Sequence, residues 1–363
     1  MTLKKNHWLW VGCAVAVLAA MYLAATAIIG NHIDAGVAEL RSGALTAATN
    51  GGFDLRDIHV SSGFFTRSGT ADLIIHPGSP QSLTFPVSFT IRQAPTLTSP
   101  AGVKFDVGVP TPSNPASPFA ALHIKHLVSG DIAHGWGGGN TLRARMDSID
   151  STLDGAAIRW GGATLESRYS AADSSPRQIN LKIAPLEIDN PSANTHAAIG
   201  EVSIVAQSSP SADHLVGAFS ETAMIGASRV DNGKSAFDLR QASLACAGSW
   251  NFSQDGANGI SIKNVDAQIN LEQPPGTISA HLDALLPLSA QQASAIQSNP
   301  ALWVDILGRS TAHANLSIPQ SFLAGSPALA MLAKQYGRTD GRNIVAIVEV
   351  QGGHVFVNGH QVI

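Results

Sequence analysis

The 13 histidines are the residues of this chain best suited to ligate a metal or to act as a general base near neutral pH. His123, His126 and His134 form the densest group. An HxxH pair with a third imidazole nearby has the outline of a metal site, but the pair converges only on a helix. On a strand, residues three apart point to opposite faces, and ALHIKHLV (121–128) has strand length and composition. Independent polar side chains are therefore expected. His354 and His360 flank Asn358-Gly359, where a two-residue turn pairs Val357 with His360 on one face and leaves His354 on the other. HGWGGGN (134–140) lacks the Lys-Ser/Thr and apolar helix of a phosphate loop and reads as a flexible turn. Asp147, Asp150 and Asp154 are spaced by Ser, Thr and Gly, as in a turn. There is no G-x-S-x-G elbow, no H-E-x-x-H and no calcium-loop pattern. The expectation is no catalytic residue, no metal and no cofactor.

The elements around these residues begin with WLWVGCAVAVLAAMYLAATAII (8–29), an uncharged run. As a helix it extends roughly 33 Å, enough for the ~30 Å hydrocarbon core of a bilayer. Lys4 and Lys5 precede it and Asp34 is the first charge after it, so the N-terminus is expected in the cytoplasm and the rest of the chain outside. The run exceeds the ~7–15 residue core of a cleavable signal. Retention as an anchor is expected, although Ala25-Thr26-Ala27 is an acceptable cleavage sequence. The organisation that follows is a cytoplasmic tail (1–7), a transmembrane helix (8–29), a juxtamembrane helix (30–50), a β-rich periplasmic domain (51–285, with a possible break at the proline-rich 110–118) and a helix-containing C-terminal part (286–363) ending in a hairpin.

The chain has 2 cysteines, and Cys13 falls in the apolar run, so the exported part holds no internal disulfide. A net charge of −4 with only 13% charged residues argues against a nucleic-acid surface, which needs clustered cations.

Between 51 and 285 the apolar period is two, punctuated by Gly, Pro and Ser. Two stretches switch the face on which their apolar residues fall. Ile179, Leu181 and Ile183 give way to Leu186 and Ile188 across Pro185; Ile260 and Ile262 give way to Val265, Ala267, Ile269 and Leu271. One extra residue at each switch would be a bulge that bends the strand. Phe-Asp-Leu-Arg occurs at 53–56 and at 237–240, a possible mark of two related β units. Helical signal returns at 289–307, interrupted by Pro300, and at 319–337, which closes on Gly337.

The fold class expected is mainly β with minor α: an anchor, then a long twisted antiparallel sheet, sandwich-like or an open groove, with a few C-terminal helices. With few helices to cover it, such a sheet either curls onto itself or keeps part of an apolar face open. An open face would form a groove walled by Ile179, Leu181, Ile183, Val265, Ile269 and Leu271. The leading expectation is an envelope protein binding an apolar ligand or lipid; the alternatives are a scaffold or interaction module for envelope proteins and, third, a hydrolase with dispersed residues.

GGFDLRDIHVSSGFFTRSGTADLII (51–75) resembles the opening of the YdgA-like bacterial proteins of unknown function. The segment 314–363 is similar to their ending: an apolar strand and Pro leading into a helix, a strand, and a Gly-x-x-x-Val-Asn-Gly hairpin, here Gly353 to Gly359. The chain is shorter than typical members. The resemblance implies an inner-membrane-anchored periplasmic protein of a Gram-negative bacterium and carries over no catalytic residues.

Overall fold

Alternating sequence becomes antiparallel ladder almost throughout the computed structural model. The structure describes residues 53–61, 63–75, 82–109, 126–153, 155–170, 176–211, 213, 215–233, 236–252, 259–273, 275–295, 299, 302–323 and 327–362, with scattered positions between 26 and 42. The expected membrane span (Thr26 apart), most of the juxtamembrane helix, the 110–118 stretch and His123 lie outside them. Among the described residues no helix is long and apolar enough to cross a membrane. The chain divides into two compact units: Met1–Ile149 with Thr164–Ser175, and Asp150–Ala163 with Pro176–Ile363.

The first unit is a meander of β1 (Phe53–Val60), β2 (Thr66–Ile75), β3 (Leu83–Arg92), β4 (Ala101–Gly108), β5 (His126–His134) and β6 (Asn140–Met146), each pairing the next. After β7 (Ile149–Leu153) and β8 (Ala156–Trp160), β9 (Ala163–Tyr169) pairs β6. Two aromatic rings sit opposite glycines, Phe89 on Gly69 and Phe105 on Gly130. A Cβ at Gly69 would lie 2.5 Å from the Phe89 ring, so the missing side chain is what lets the ring lie across the strand. Among the described residues of this unit, Ala71, Phe85 and Ile91 are the buried apolar ones.

The second unit holds β8 and most of β7, then β10 (Pro176–Ile183), β11 (Leu186–Asn190), β12 (Thr195–Ile199), β13 (Val202–Pro210), β14 (Val216–Ile225), β15 (Ser228–Asp231) and β16 (Ala236–Asn251). It continues with β17 (Gly259–Gln273), β18 (Gly276–Leu286), β19 (Thr311–Pro319), β20 (Arg338–Asp340), β21 (Asn343–Gln351), β22 (His354–Val357) and β23 (His360–Gln361). The main ladder runs β10–β13–β14–β16–β17–β18–β19–β21–β22–β23. The first residues of β16 instead pair β15, which leads through β12 and β11 to β8.

The switch at 262/265 is the bulge its parity implies: the β16–β17 and β17–β18 registers both slip there, around Asn264 at φ 55. The switch at Pro185 is different. Rather than bending one strand it separates two, since β10 pairs β13 whereas β11 pairs β12 and β8. Proline has no N–H to continue the ladder. The copies of Phe-Asp-Leu-Arg fall in β1 and at the start of β16; a register shift follows the first and falls within the second.

Helices Ala290–Ala295 and Leu302–Arg309 flank Pro300, and Ser289 and Gln292 exchange backbone-to-side-chain bonds as a capping box. The single helix expected over 319–337 is instead Gln320–Leu323 and Pro327–Tyr336, because Pro319 is the last residue of β19 and a second proline starts the later helix. Gly337 does end it, its N–H on Ala333 O at 2.8 Å.

Candidate functional site

Because directly paired residues of an antiparallel ladder share a face, the register of the second unit sorts its side chains. One row reads Leu181, Ile204, Ala223, Leu244, Ala267, Ala280, Leu316, Ala346. The next reads Ile183, Val202, Ile225, Ala242, Ile269, Ile278. Beyond the bulge, Gly248, Ile262, Ala284, Ala312, Val350 and Val355 continue the pattern. At ~4.8 Å per strand the first row crosses about 34 Å. Glu221 on β14 interrupts this face; in these rows from β16 to β22 no residue carries a charge.

The face is mostly uncovered. Leu244 is 41% exposed, Ile269 37% and Ile225 36%. Helix Leu302–Arg309 packs on β18 and helix Gln320–Leu323 on β19. They stand at opposite ends of these strands, since one precedes Thr311 and the other follows Pro319. The buried Leu288 and Ile306 belong to one end, Leu271 and Leu323 to the other. An apolar floor thus has covered ends and an open middle.

Of the groove residues named from sequence, Ile179, Leu181 and Ile183 lie on β10 and Val265, Ile269 and Leu271 on β17. The register puts Leu181, Ile183 and Ile269 on the same face, with Ile179 and Val265 sharing their strand parity; it does not bring the two trios together, since β13, β14 and β16 intervene. Leu271, opposite Gly276, is buried.

The reverse face is polar and carries a cluster that sequence reading passed over. His281 lies between Asp266, its pair on β17, and Asp283 on its own strand: Nδ1 is 2.7 Å from Asp266 Oδ1 and Nε2 3.2 Å from Asp283 Oδ2. With a carboxylate at each ring nitrogen, the arrangement favours the imidazolium, which donates from both. Asp266, and then Asp283, raises its pKa above the ordinary 6.5. Asp283 is lowered, by the Asn264 N–H and then by His281. His313, opposite Asp283, has Nδ1 3.6 Å from Glu349. The signal available was HLD at 281–283, two polar residues at strand spacing on one side; the partner Asp266 depends on the bulge. Lys263, Asp283, His313, Glu349 and Phe356 help to line a shallow depression here. Among the described residues, no hydroxyl or thiol hydrogen-bonds to either imidazole.

A raised imidazole stabilises the fold below its unfolded pKa and ceases to do so as pH rises through the folded one. Unfolding by urea at about pH 6 and about pH 8.5 should therefore show His281→Gln losing its deficit relative to the parent at the higher pH. An equal deficit at both would exclude the ion pairs as its cause.

Among the described residues the other histidines stand apart from this cluster. His126 Nδ1 is 3.9 Å from Asp106, and His134 Nδ1 is 2.8 Å from Asn140 Oδ1. Asn358 at φ 48 and Gly359 at φ 80 form the tight turn, pairing Val357 with His360. Among the described residues no group of His, Cys, Asp and Glu could hold a metal ion. Cys246 is a free thiol, its pKa raised by burial and then by Glu221 across the ladder. No curated protein and no solved structure matches the chain. A family model described as a bacterial protein of unknown function, DUF945, matches residues 3–266, from before the apolar run into β17, and the chain belongs to that family.

Proposed function

We propose that this chain is an inner-membrane-anchored, periplasmic protein of the YdgA-like kind whose second unit holds lipid acyl chains on its apolar sheet face. The observation that carries this reading is the uncharged, half-exposed field from β16 to β22, open between two covered ends. Burial of apolar area stabilises by about 25 cal/mol per Å², and a field of this extent contacts a long hydrocarbon chain along much of its length. The apolar run at 8–29 and the lysines before it support the location.

A photoreactive amino acid at Leu244 of the full chain in cells is expected to gain a phospholipid mass on irradiation. The same group at Ser243, the adjacent residue on the opposite face, is expected to gain none. Protein adducts alone at Leu244 would replace this reading by that of an interaction module, and lipid adducts at both sites would show non-specific contact.

A further inference from the structure

In the first unit, successive hairpins of the meander alternate between its ends, so the β1–β2, β3–β4 and β5–β6 turns share one end. Each presents large apolar side chains to solvent: Phe64 (50% exposed) and Phe65 (47%), Leu97 (100%), and Trp136 (60%). Residues 61–65, 93–100 and 135–139 contain no Asp, Glu, Lys or Arg.

The three turns are tied to one another. The Trp136 indole N–H donates to Thr96 O at 3.0 Å. Gln93 N–H donates to Phe65 O at 3.0 Å, and the Gln93 side-chain amide donates to Gly63 O at 2.8 Å and to Phe64 O. The two phenyl rings meet edge to face at 5.0 Å. A Cβ on Gly63 would collide with Thr66 O, at 2.0 Å. Four apolar side chains are therefore held outward on a braced platform.

The same end receives the N-terminal chain. Asp34 pairs with Arg67, just inside the β1–β2 turn, whereas Arg41 donates to Ile58 O at 3.0 Å, deeper along β1. The helical stretch from 34 to 41, roughly 10 Å, thus runs inward over about four residues of strand, roughly 13 Å. Asp34 is thus nearer the turns than Arg41 is, and in the sequence the apolar run ends only a few residues before Asp34, at Ile29.

We propose that Phe64, Phe65, Leu97 and Trp136 form a second membrane contact, seated in the interface of the bilayer that takes up the N-terminal run. Aromatic rings favour that depth because they pair an apolar body with a polar edge, and uncharged turns enter it without stripping water from an ion. The nearest cations are already engaged, Arg67 by Asp34 and Arg92 by Ala94 O and Ser99 Oγ. The contact is accordingly driven by apolar area and not by anionic headgroups. It does not depend on the lipid reading of the second unit.

The test uses the full chain, with Cys13 and Cys246 replaced by alanine, in vesicles of phosphatidylethanolamine and phosphatidylglycerol. An environment-sensitive dye on Leu97→Cys should emit to the blue and be quenched by nitroxide lipids at a depth of about 5–10 Å below the headgroups. The dye on Thr84→Cys, exposed toward the other end of β3, should stay water-like. Adding Phe64→Ser and Phe65→Ser should return the Leu97 dye toward water with the circular dichroism unchanged. Raising the phosphatidylglycerol fraction should leave its depth as it was. Water-like emission at Leu97, a blue shift without quenching (a protein contact), or a depth set by phosphatidylglycerol would each overturn the proposal.

Discussion

Gly248→Ala is expected to destabilise the second unit by about 2–3 kcal/mol, read as a lower denaturant midpoint. The added Cβ would lie 2.5 Å from the Phe219 ring and 2.6 Å from Ser261 O. The ring could rotate away, but the carbonyl belongs to the β16–β17 ladder and cannot move without breaking pairing. Among the described residues Gly248 is one of four glycines facing an aromatic across a ladder: Phe89 on Gly69, Phe105 on Gly130, Phe219 on Gly248 and Trp250 on Gly217. Phe219 and Trp250 also stack, with centroids 6.4 Å apart. In a sheet with little covering its faces, rings lying along the strands recover burial that a second layer would otherwise provide. Gly308→Ala makes the contrast. That position is helical and its Cβ meets nothing within 4 Å, so the same substitution should stabilise, by about 0.5–1 kcal/mol. Equal effects at the two glycines would refute the ring-on-glycine account.

These pairs also mark where reading the sequence stops. Whatever is local was legible: strand periods, the parity switches at 185 and 262/265, the Asn358-Gly359 turn, the break at Pro300 and the cap at Gly337. Each is decided by residues within a few positions of one another. The partner of a strand is not local. Nothing near Gly248 announces that β14 will place Phe219 over it, and nothing near His281 announces Asp266, whose position depends on an extra residue in the neighbouring strand. Pro185 shows the limit from the other side. A parity switch has two physical causes, a bulge or a change of strand, and only the pairing distinguishes them. The six groove residues fall on two strands that three others separate, since alternation assigns a face but not an order of strands.

Leu244→Lys is expected to reduce lipid carried by the protein about a hundredfold while leaving its unfolding midpoint nearly unchanged. The two effects separate because Leu244 is 41% exposed. Without ligand, a lysine there extends its ammonium to water along its own apolar stem. With a hydrocarbon chain laid over Leu244, Ala267 and Ala280, that route closes, and a lysine among lipid chains costs about 2.5–3.5 kcal/mol, or roughly two powers of ten in occupancy. Ser243→Lys adds the same charge to the opposite face of β16, beside Met224 and Gln268, and should leave lipid content as in the parent. Glu221, opposite Cys246 on the apolar side, sharpens the comparison. A carboxylate already stands at the β14 edge of the uncharged field, so the chain should lie from β16 toward β22, and Glu221→Gln should change lipid content far less than Leu244→Lys. Equal loss from Leu244→Lys and Ser243→Lys would place the lipid elsewhere on the protein. Equal loss from Leu244→Lys and Glu221→Gln would place it across β14, a lie the present charge pattern disfavours.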